Sequence, residues 1–154
     1  MSDLPQTKAA SRDDASNAVI VSFESRWESI FCEKRLSGFI RKRLPKSVPV
    51  EFVYAYFGSP SCRIALRAKV LKIEEVPVAK IQSNTTSLCI SKNEVADYCF
   101  GSPTIGLCTV GKIQIARYPI SLAKLKTRLA FFPPQSFLIL SHYAKAEIDK
   151  LAVF

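Results

Sequence analysis

Two strand-forming stretches lie close together near the middle of the chain. Residues 50–57 read VEFVYAYF, rich in aromatic and β-branched side chains, and residues 64–76 carry Ile64, Leu66, Ala68 and Val70 in alternation with Arg67 and Lys69. Such residues suit a pleated, half-buried surface. Gly58, Ser59 and Pro60 break the first run, and the second begins without room for a helix between them. Strands joined in this way argue against a doubly wound parallel sheet, in which helices alternate with strands. They favour a small, mostly antiparallel barrel or a strongly curled sheet with helices packed on it.

The rest of the chain extends this pattern. Residues 1–17 are polar and aperiodic and predict a disordered lead, leaving 18–154 as a single domain. Residues 19–23 (VIVSF) predict a buried strand. Ser25 and Glu28 have the S-x-x-E spacing of a capping box, so a helix is expected with Trp27, Ile30 and Phe31 facing the core. Gly38 is expected to end it in a left-handed conformation. Residues 39–44 predict a strand with Phe39, Arg41 and Arg43 on one face and Ile40, Lys42 and Leu44 on the other.

Residues 77–90 are read as a short helix and a loop. Ser91 and Glu94 make a second capping box, opening a helix that Gly101 should stop. Residues 106–116 predict a strand, bulged at Gly111. A short helix with Leu122, Leu125 and Leu129 inward follows, then a strand from Phe137 to Leu140, and a last helix capped by Ser141. The expected order is β-α-β-β-β-α-β-α-β-α, an α+β chain.

Charge is concentrated early. Residues 25–46 hold seven basic side chains against two acidic ones, giving +5 of the chain's +9. A charge run of this kind is a solvated face or an anion-binding surface. No apolar run approaches the ~20 residues that span a bilayer, and the N-terminus lacks the order of a signal peptide, so the cytoplasm is the expected location. The five cysteines are widely spaced without C-x-x-C, and His142 is the one histidine. Their spacing suggests no metal site, and buried, reduced thiols are expected.

Four pieces of the sequence, in order, carry a likeness to a known family. They are residues 21–43, with a serine-led helix before a basic strand; the aromatic strand ending at Ser59 and Pro60; Tyr98-Cys-Phe-Gly101 at a helix end; and Pro119-Ile-Ser-Leu122 with Pro133-Pro-Gln-Ser-Phe137. With these the chain resembles the PUA-like superfamily, more narrowly the ASCH (activating-signal-cointegrator homology) domains. The resemblance implies a PUA-like pseudo-barrel with a cleft beside the first helix, used by relatives to bind RNA or modified bases. A few small relatives are ribonucleases, or amidohydrolases acting on acetylated cytidine. Those amidohydrolases use a lysine after the helix, a threonine three residues on and a glutamate from a later strand. Aligned on Arg41, the lysine position holds Leu36 and the threonine position Phe39. A two-residue insertion would bring Lys34 to the lysine position, with no threonine following.

The residues by themselves favour binding over catalysis. His142 reads as a surface or capping residue. Glu74 and Glu75 are adjacent on a strand and should point to opposite faces, which suits shared acid–base work poorly. No glycine-rich phosphate loop occurs. Arg41 and Arg43 on one strand face, beside Lys34 and Arg35, would form a cationic ridge, and arginine's fork suits phosphate. Tyr54, Tyr56 and Phe137 serve either as stacking surfaces for unpaired bases or as core. Ser59 belongs to the matching turn, and Gln135 and Ser136 are expected to line the cleft edge that the resemblance implies.

The expected site is therefore Lys34, Arg35, Arg41, Arg43, Tyr56, Ser59, Gln135, Ser136 and Phe137, around a basic cleft for single-stranded RNA or a modified base. No metal, cofactor or membrane partner is expected, and RNA is favoured over DNA. The alternatives are a hydrolase of acetylated cytidine, with Lys34 catalytic, and an adaptor whose basic face meets an acidic protein.

Overall fold

The computed structural model describes residues 14–33, 35–46 and 49–154. Six strands form one mixed sheet, and helices cover both of its faces. β1 (Ala15–Phe23) is followed by α1 (Trp27–Cys32), β2 (Gly38–Arg41), β3 (Phe52–Phe57) and β4 (Arg63–Pro77). Then come α2 (Val78–Gln82), a 3₁₀ turn over Thr86–Leu88, and α3 (Lys92–Tyr98). β5 (Thr104–Ser121), α4 (Leu122–Leu129), β6 (Phe137–Ser141) and α5 (His142–Ala152) complete the chain. This is the expected α+β order, with the segment after residue 77 resolved into a short helix and a 3₁₀ turn.

The strand order is β2-β5-β4-β3-β1-β6. β3–β4, β4–β5, β2–β5 and β1–β6 pair antiparallel, whereas β1 and β3 run parallel with Val19 opposite Val53 and Phe23 opposite Phe57. The expected barrel is corrected accordingly. Among the described residues the sheet is open, with β2 and β6 at its edges, and it is mixed. The parallel pair follows from connectivity, because α1 and β2 lie between β1 and β3 and supply the long crossover that parallel strands need.

Alternation along the central strands divides the core between the two faces. Val19, Val21, Phe23, Val53, Ala55 and Phe57 point to one side, where Phe31 of α1 and Phe39 of β2 pack on them. Ala18, Ile20, Tyr54 and Tyr56 point to the other, against Leu125 and Leu129 of α4 and Ala144 and Ile148 of α5. A third cluster joins Ile40 of β2 and Ile105 of β5 to Ile81, Leu88 and Val95.

Bulges interrupt the expected alternation of β4. The register shifts between Ile64 and Leu66, so Ile64 joins the second core while Ala65 and Leu66 join the first. Between Ala68 and Lys72 the register shifts twice more: Ala68 faces Ile113, Val70 faces Val110 and Lys72 faces Thr109. The extra residues fall at Gly111 with Lys112 on β5, as Gly111 foretold, and at Leu71 on β4.

Local signals hold unequally. Ser91 caps α3 through a complete capping box with Glu94, and Ser121 and Ser141 accept from Lys124 N–H and Ala144 N–H. α3 ends at Tyr98 with Cys99 as its C-cap, and Gly101, at φ +78°, turns the chain two residues later. The Ser25 box is not formed. Glu28 N–H donates to the Ser25 carbonyl rather than to its hydroxyl, and the Glu28 carboxylate takes Arg63 instead. Gly38 does not end α1; it opens β2. A Cβ there would lie 2.5 Å from the Cys108 carbonyl oxygen, so only glycine permits this approach of β2 to β5. β1 begins at Ala15, three residues inside the expected polar lead, of which 1–13 lie outside the described residues.

Cys99 and Cys108 are buried, but Cys32, Cys62 and Cys89 are partly exposed free thiols, so burial holds for two of the five. His142 is exposed at the start of α5, and no group of side chains able to hold a metal ion occurs among the described residues. Among the described residues no helix is long and apolar enough to cross a membrane.

Candidate functional site

The end of β1, the start of α1, β2 and α3 enclose a cleft of about 580 Å³, within the range usual for small-molecule sites. Ser22 and Glu24 come from β1 and its exit, Arg26 and Trp27 from the start of α1, Ile40 and Arg41 from β2. Glu94, Asp97 and Tyr98 project from α3, and Gln135 from the loop before β6. A narrower apolar recess of about 30 Å³ adjoins it, lined by Phe23, Phe39, Leu88 and Ile90 together with Trp27, Ile40 and Arg41.

Arg41 holds the centre. It is the last residue of β2, paired with Gly106 of β5. Its guanidinium lies over the rings of Phe23 (4.5 Å) and Phe39 (5.5 Å) and donates to the carbonyls of Ile40 (2.7 Å) and Ser22 (3.0 Å). Both of these acceptors are backbone carbonyls. Burial pulls its pKa below the usual arginine range, and Tyr98 and Glu24 push it back up. Guanidinium carries five N–H donors, so donors remain for a ligand in the cleft.

The walls are aromatic, and an ion pair joins the helices that carry them. Trp27 is half-buried, with the Arg26 guanidinium 4.8 Å from its ring centre. Arg26 reaches across to Glu94 (2.5 Å), joining α1 to α3, and its hydrogen bond is the main cause holding the Glu94 carboxyl below the usual range. Glu94 thus caps α3 and fixes the opposite wall. The Tyr98 hydroxyl accepts from Lys42 N–H (3.0 Å), and Lys42 Nζ stands 5.2 Å from the tyrosine ring.

That hydrogen bond explains a departure from the expected ridge. Lys42 N–H goes to a side chain on α3 rather than to a strand partner, so β2 stops at Arg41 and alternation does not carry Arg43 onto the same face. Arg43 lies exposed in the following loop. Arg35 is exposed and paired with Glu33 (3.0 Å). Lys34 lies outside the described residues. The cleft itself holds Arg26 and Arg41 against Glu24, Glu94 and Asp97, so it is mixed in charge rather than basic.

The other expected residues divide. Gln135 lines the cleft. Ser59, in the cis Ser59–Pro60 turn, lines a shallower hollow that shares Ser22, Glu24 and Arg26 with the cleft. Ser136 is half-buried, and Phe137 begins β6 opposite Val21 and packs on the first core. Tyr56 is corrected from stacking surface to core. It is 3% exposed, on the sheet face opposite α1, with its ring 5.5 Å from that of Phe131, and burial pushes its hydroxyl up to about 12. Tyr54 is likewise buried and donates to Asp149 (2.5 Å).

Sequence reasoning missed Trp27, Tyr98, Glu24, Glu94 and Asp97. Trp27 and Tyr98 have the helical spacing of core residues, and only the depth of the cleft shows that they face it. Glu94 was legible as a cap but not as the holder of Arg26.

The solved structures that resemble this chain include the ASCH protein from Zymomonas mobilis, at 20% identity and TM-score 0.81, covering 88% of this chain and 95% of that one. A single-residue variant of the same protein matches at 21% identity and TM-score 0.80, over 88% of this chain and 96% of that one. The N-terminal domain of Staphylothermus marinus McrB matches at 7% identity and TM-score 0.54, over 95% of this chain and 98% of that one. No family model matches the sequence, and no curated protein matches it significantly. The architecture is therefore a six-stranded mixed sheet covered by helices on both faces. Its fold is that of the Zymomonas mobilis ASCH protein.

Proposed function

We propose that the cleft receives one unpaired or modified base of a single-stranded RNA, stacked against Trp27 and Tyr98. The observation that carries this reading is Arg41: a partly buried guanidinium between aromatic side chains, with two donors spent on backbone carbonyls and others available to a ligand. Base edges offer acceptors for such a fork and amino donors for carboxylates, and Glu24, Glu94 and Asp97 supply the latter. Aromatic stacking with edge hydrogen bonding is how single-stranded RNA is commonly read. The mixed charge of the cleft supports a base as occupant and leaves phosphates to the lysines and arginines outside it, in keeping with the chain's +9. The ASCH-type fold agrees with this reading through the resemblance described above.

The hydrolase alternative is less well supported. The positions that align with its lysine and threonine hold Leu36 and Phe39, each 5% exposed and packed in the first core.

Trp27 is the one tryptophan of the chain, so its fluorescence reports the site directly. Titration with single-stranded RNA should quench it saturably, and Trp27→Phe should bind without that signal. Absence of both quenching and binding with RNA, DNA and nucleosides would overturn the proposal.

A further inference from the structure

A second groove, of about 370 Å³, borders the same length of chain as the cleft. The cleft takes Ile40 and Arg41; the groove takes Lys42, Leu44, Pro45 and Lys46, and is closed on its other side by residues 70–75 of β4. Lys42 connects the two, lining the groove while its ammonium stands over the Tyr98 ring of the cleft. We propose that this groove holds the phosphates of the nucleotides adjoining the bound base, so that the protein recognises a strand rather than a free nucleoside. The proposal rests on the base-binding reading of the cleft and specifies its ligand.

The chemistry of the groove fits a nucleic-acid backbone. Three ammonium groups, Lys42, Lys46 and Lys72, face two carboxylates, Glu74 and Glu75. Lys46 is 3.1 Å from Glu75 and Lys72 is 3.3 Å from Glu74. Both lysine side chains are well exposed, so these ion pairs are weakly held, and each lysine can exchange a carboxylate for a phosphate oxygen. The β4 bulge puts Leu71 at the lip, 64% exposed, where its apolar surface can cover a sugar or a base face. Apart from Lys42, which also touches Tyr98, none of these groups lines the cleft.

The test compares a nucleoside with single-stranded RNAs of about 4, 8 and 16 nucleotides, titrated against Trp27 fluorescence over a salt series. The strands should bind more tightly than the nucleoside and lose affinity as salt rises. Each phosphate contact on a single strand contributes about −0.7 to the slope of log K against log salt concentration. Lys46→Gln with Lys72→Gln should therefore reduce the slope by about 1.4 and leave nucleoside binding unchanged. Glu74→Gln with Glu75→Gln should act oppositely and strengthen strand binding. Equal affinity for nucleoside and strands, or an unaltered slope in the lysine variant, would overturn the groove proposal while the cleft reading stands. Absence of binding by the nucleoside and every strand would overturn both.

Discussion

Arg41→Met separates what Arg41 does for the fold from what it does for a ligand. In the fold, the variant loses a cation over two rings, worth about 0.5–2 kcal/mol, and leaves the Ser22 and Ile40 carbonyls without the donors they have now. An abandoned buried acceptor costs about 1–3 kcal/mol. Against this, the variant no longer buries a charge, and the downward pull on the Arg41 pKa gives the sign of that relief. Methionine also fills much of the same space beside Phe23 and Phe39. The net loss of stability should be about 1–3 kcal/mol, leaving a folded protein. Binding has no such compensation. Charge-assisted hydrogen bonds to a base are worth about 1.5–3 kcal/mol, so affinity should fall about 10- to 150-fold. Arg41→Lys keeps the charge but not the planar fork and should recover only part of it. Urea unfolding and ligand titration can both be followed through Trp27. A folded Arg41→Met protein that binds RNA as tightly as the parent would refute the role given to Arg41.

The remaining predictions concern local structure. Ser91→Ala should cost about 1 kcal/mol by urea unfolding, whereas Ser25→Ala should cost less than about 0.5 kcal/mol, because only Ser91 caps with its hydroxyl; equal losses would contradict the geometry. The Glu94 carboxyl is held below its ordinary value of 4.5, chiefly by Arg26. Its contribution to stability is therefore present above that value and lost as pH falls through the folded pKa, so the difference in Tm between parent and Glu94→Gln should shrink below about pH 4.5. Burial pushes the Cys108 thiol up to about 12; in native protein at about pH 8 it should resist a thiol reagent that labels the partly exposed Cys32, Cys62 and Cys89, and rapid labelling of Cys108 would show that the first core opens readily.

The order of elements was legible because strand and helix periodicities are local. Residues 50–57 became β3 with two boundary residues trimmed, and Leu125 and Leu129 face the core as their spacing implies. What was not legible depends on contacts distant in sequence. Parallel pairing of β1 with β3, bulges that shift Ile64 and Leu71, and the close approach of Gly38 to Cys108 are fixed by which strands become neighbours. The two S-x-x-E motifs make the same point. Ser91 and Glu94 form their box, and Glu94 has a second oxygen left for Arg26. Glu28 is drawn to Arg63, 35 residues away, and its helix starts without a side-chain cap. Local chemistry proposes a cap; tertiary geometry decides where the carboxylate goes.

The cleft shows how one such contact moves a whole site. Had β2 continued to Leu44, Arg41 and Arg43 would share a face and the surface would be an exposed cationic ridge suited to phosphate. The Tyr98 hydroxyl instead takes the Lys42 N–H, and the strand ends at Arg41. Arg41 is thereby separated from Arg43 and shares the cleft with Arg26, Trp27, Tyr98 and three carboxylates, while Lys42 and Lys46 line the neighbouring groove. A basic stretch continuous in sequence becomes two sites of different chemistry, one suited to a base and one to its backbone. Tyr98→Phe tests the division. It keeps the ring but removes the acceptor from Lys42 N–H, a loss of about 0.5–1.5 kcal/mol, and it should loosen the junction between the sites. Strand affinity should then fall more than nucleoside affinity; an equal fall in both would refute the division, and no fall in either would mean that Tyr98 acts through its ring alone.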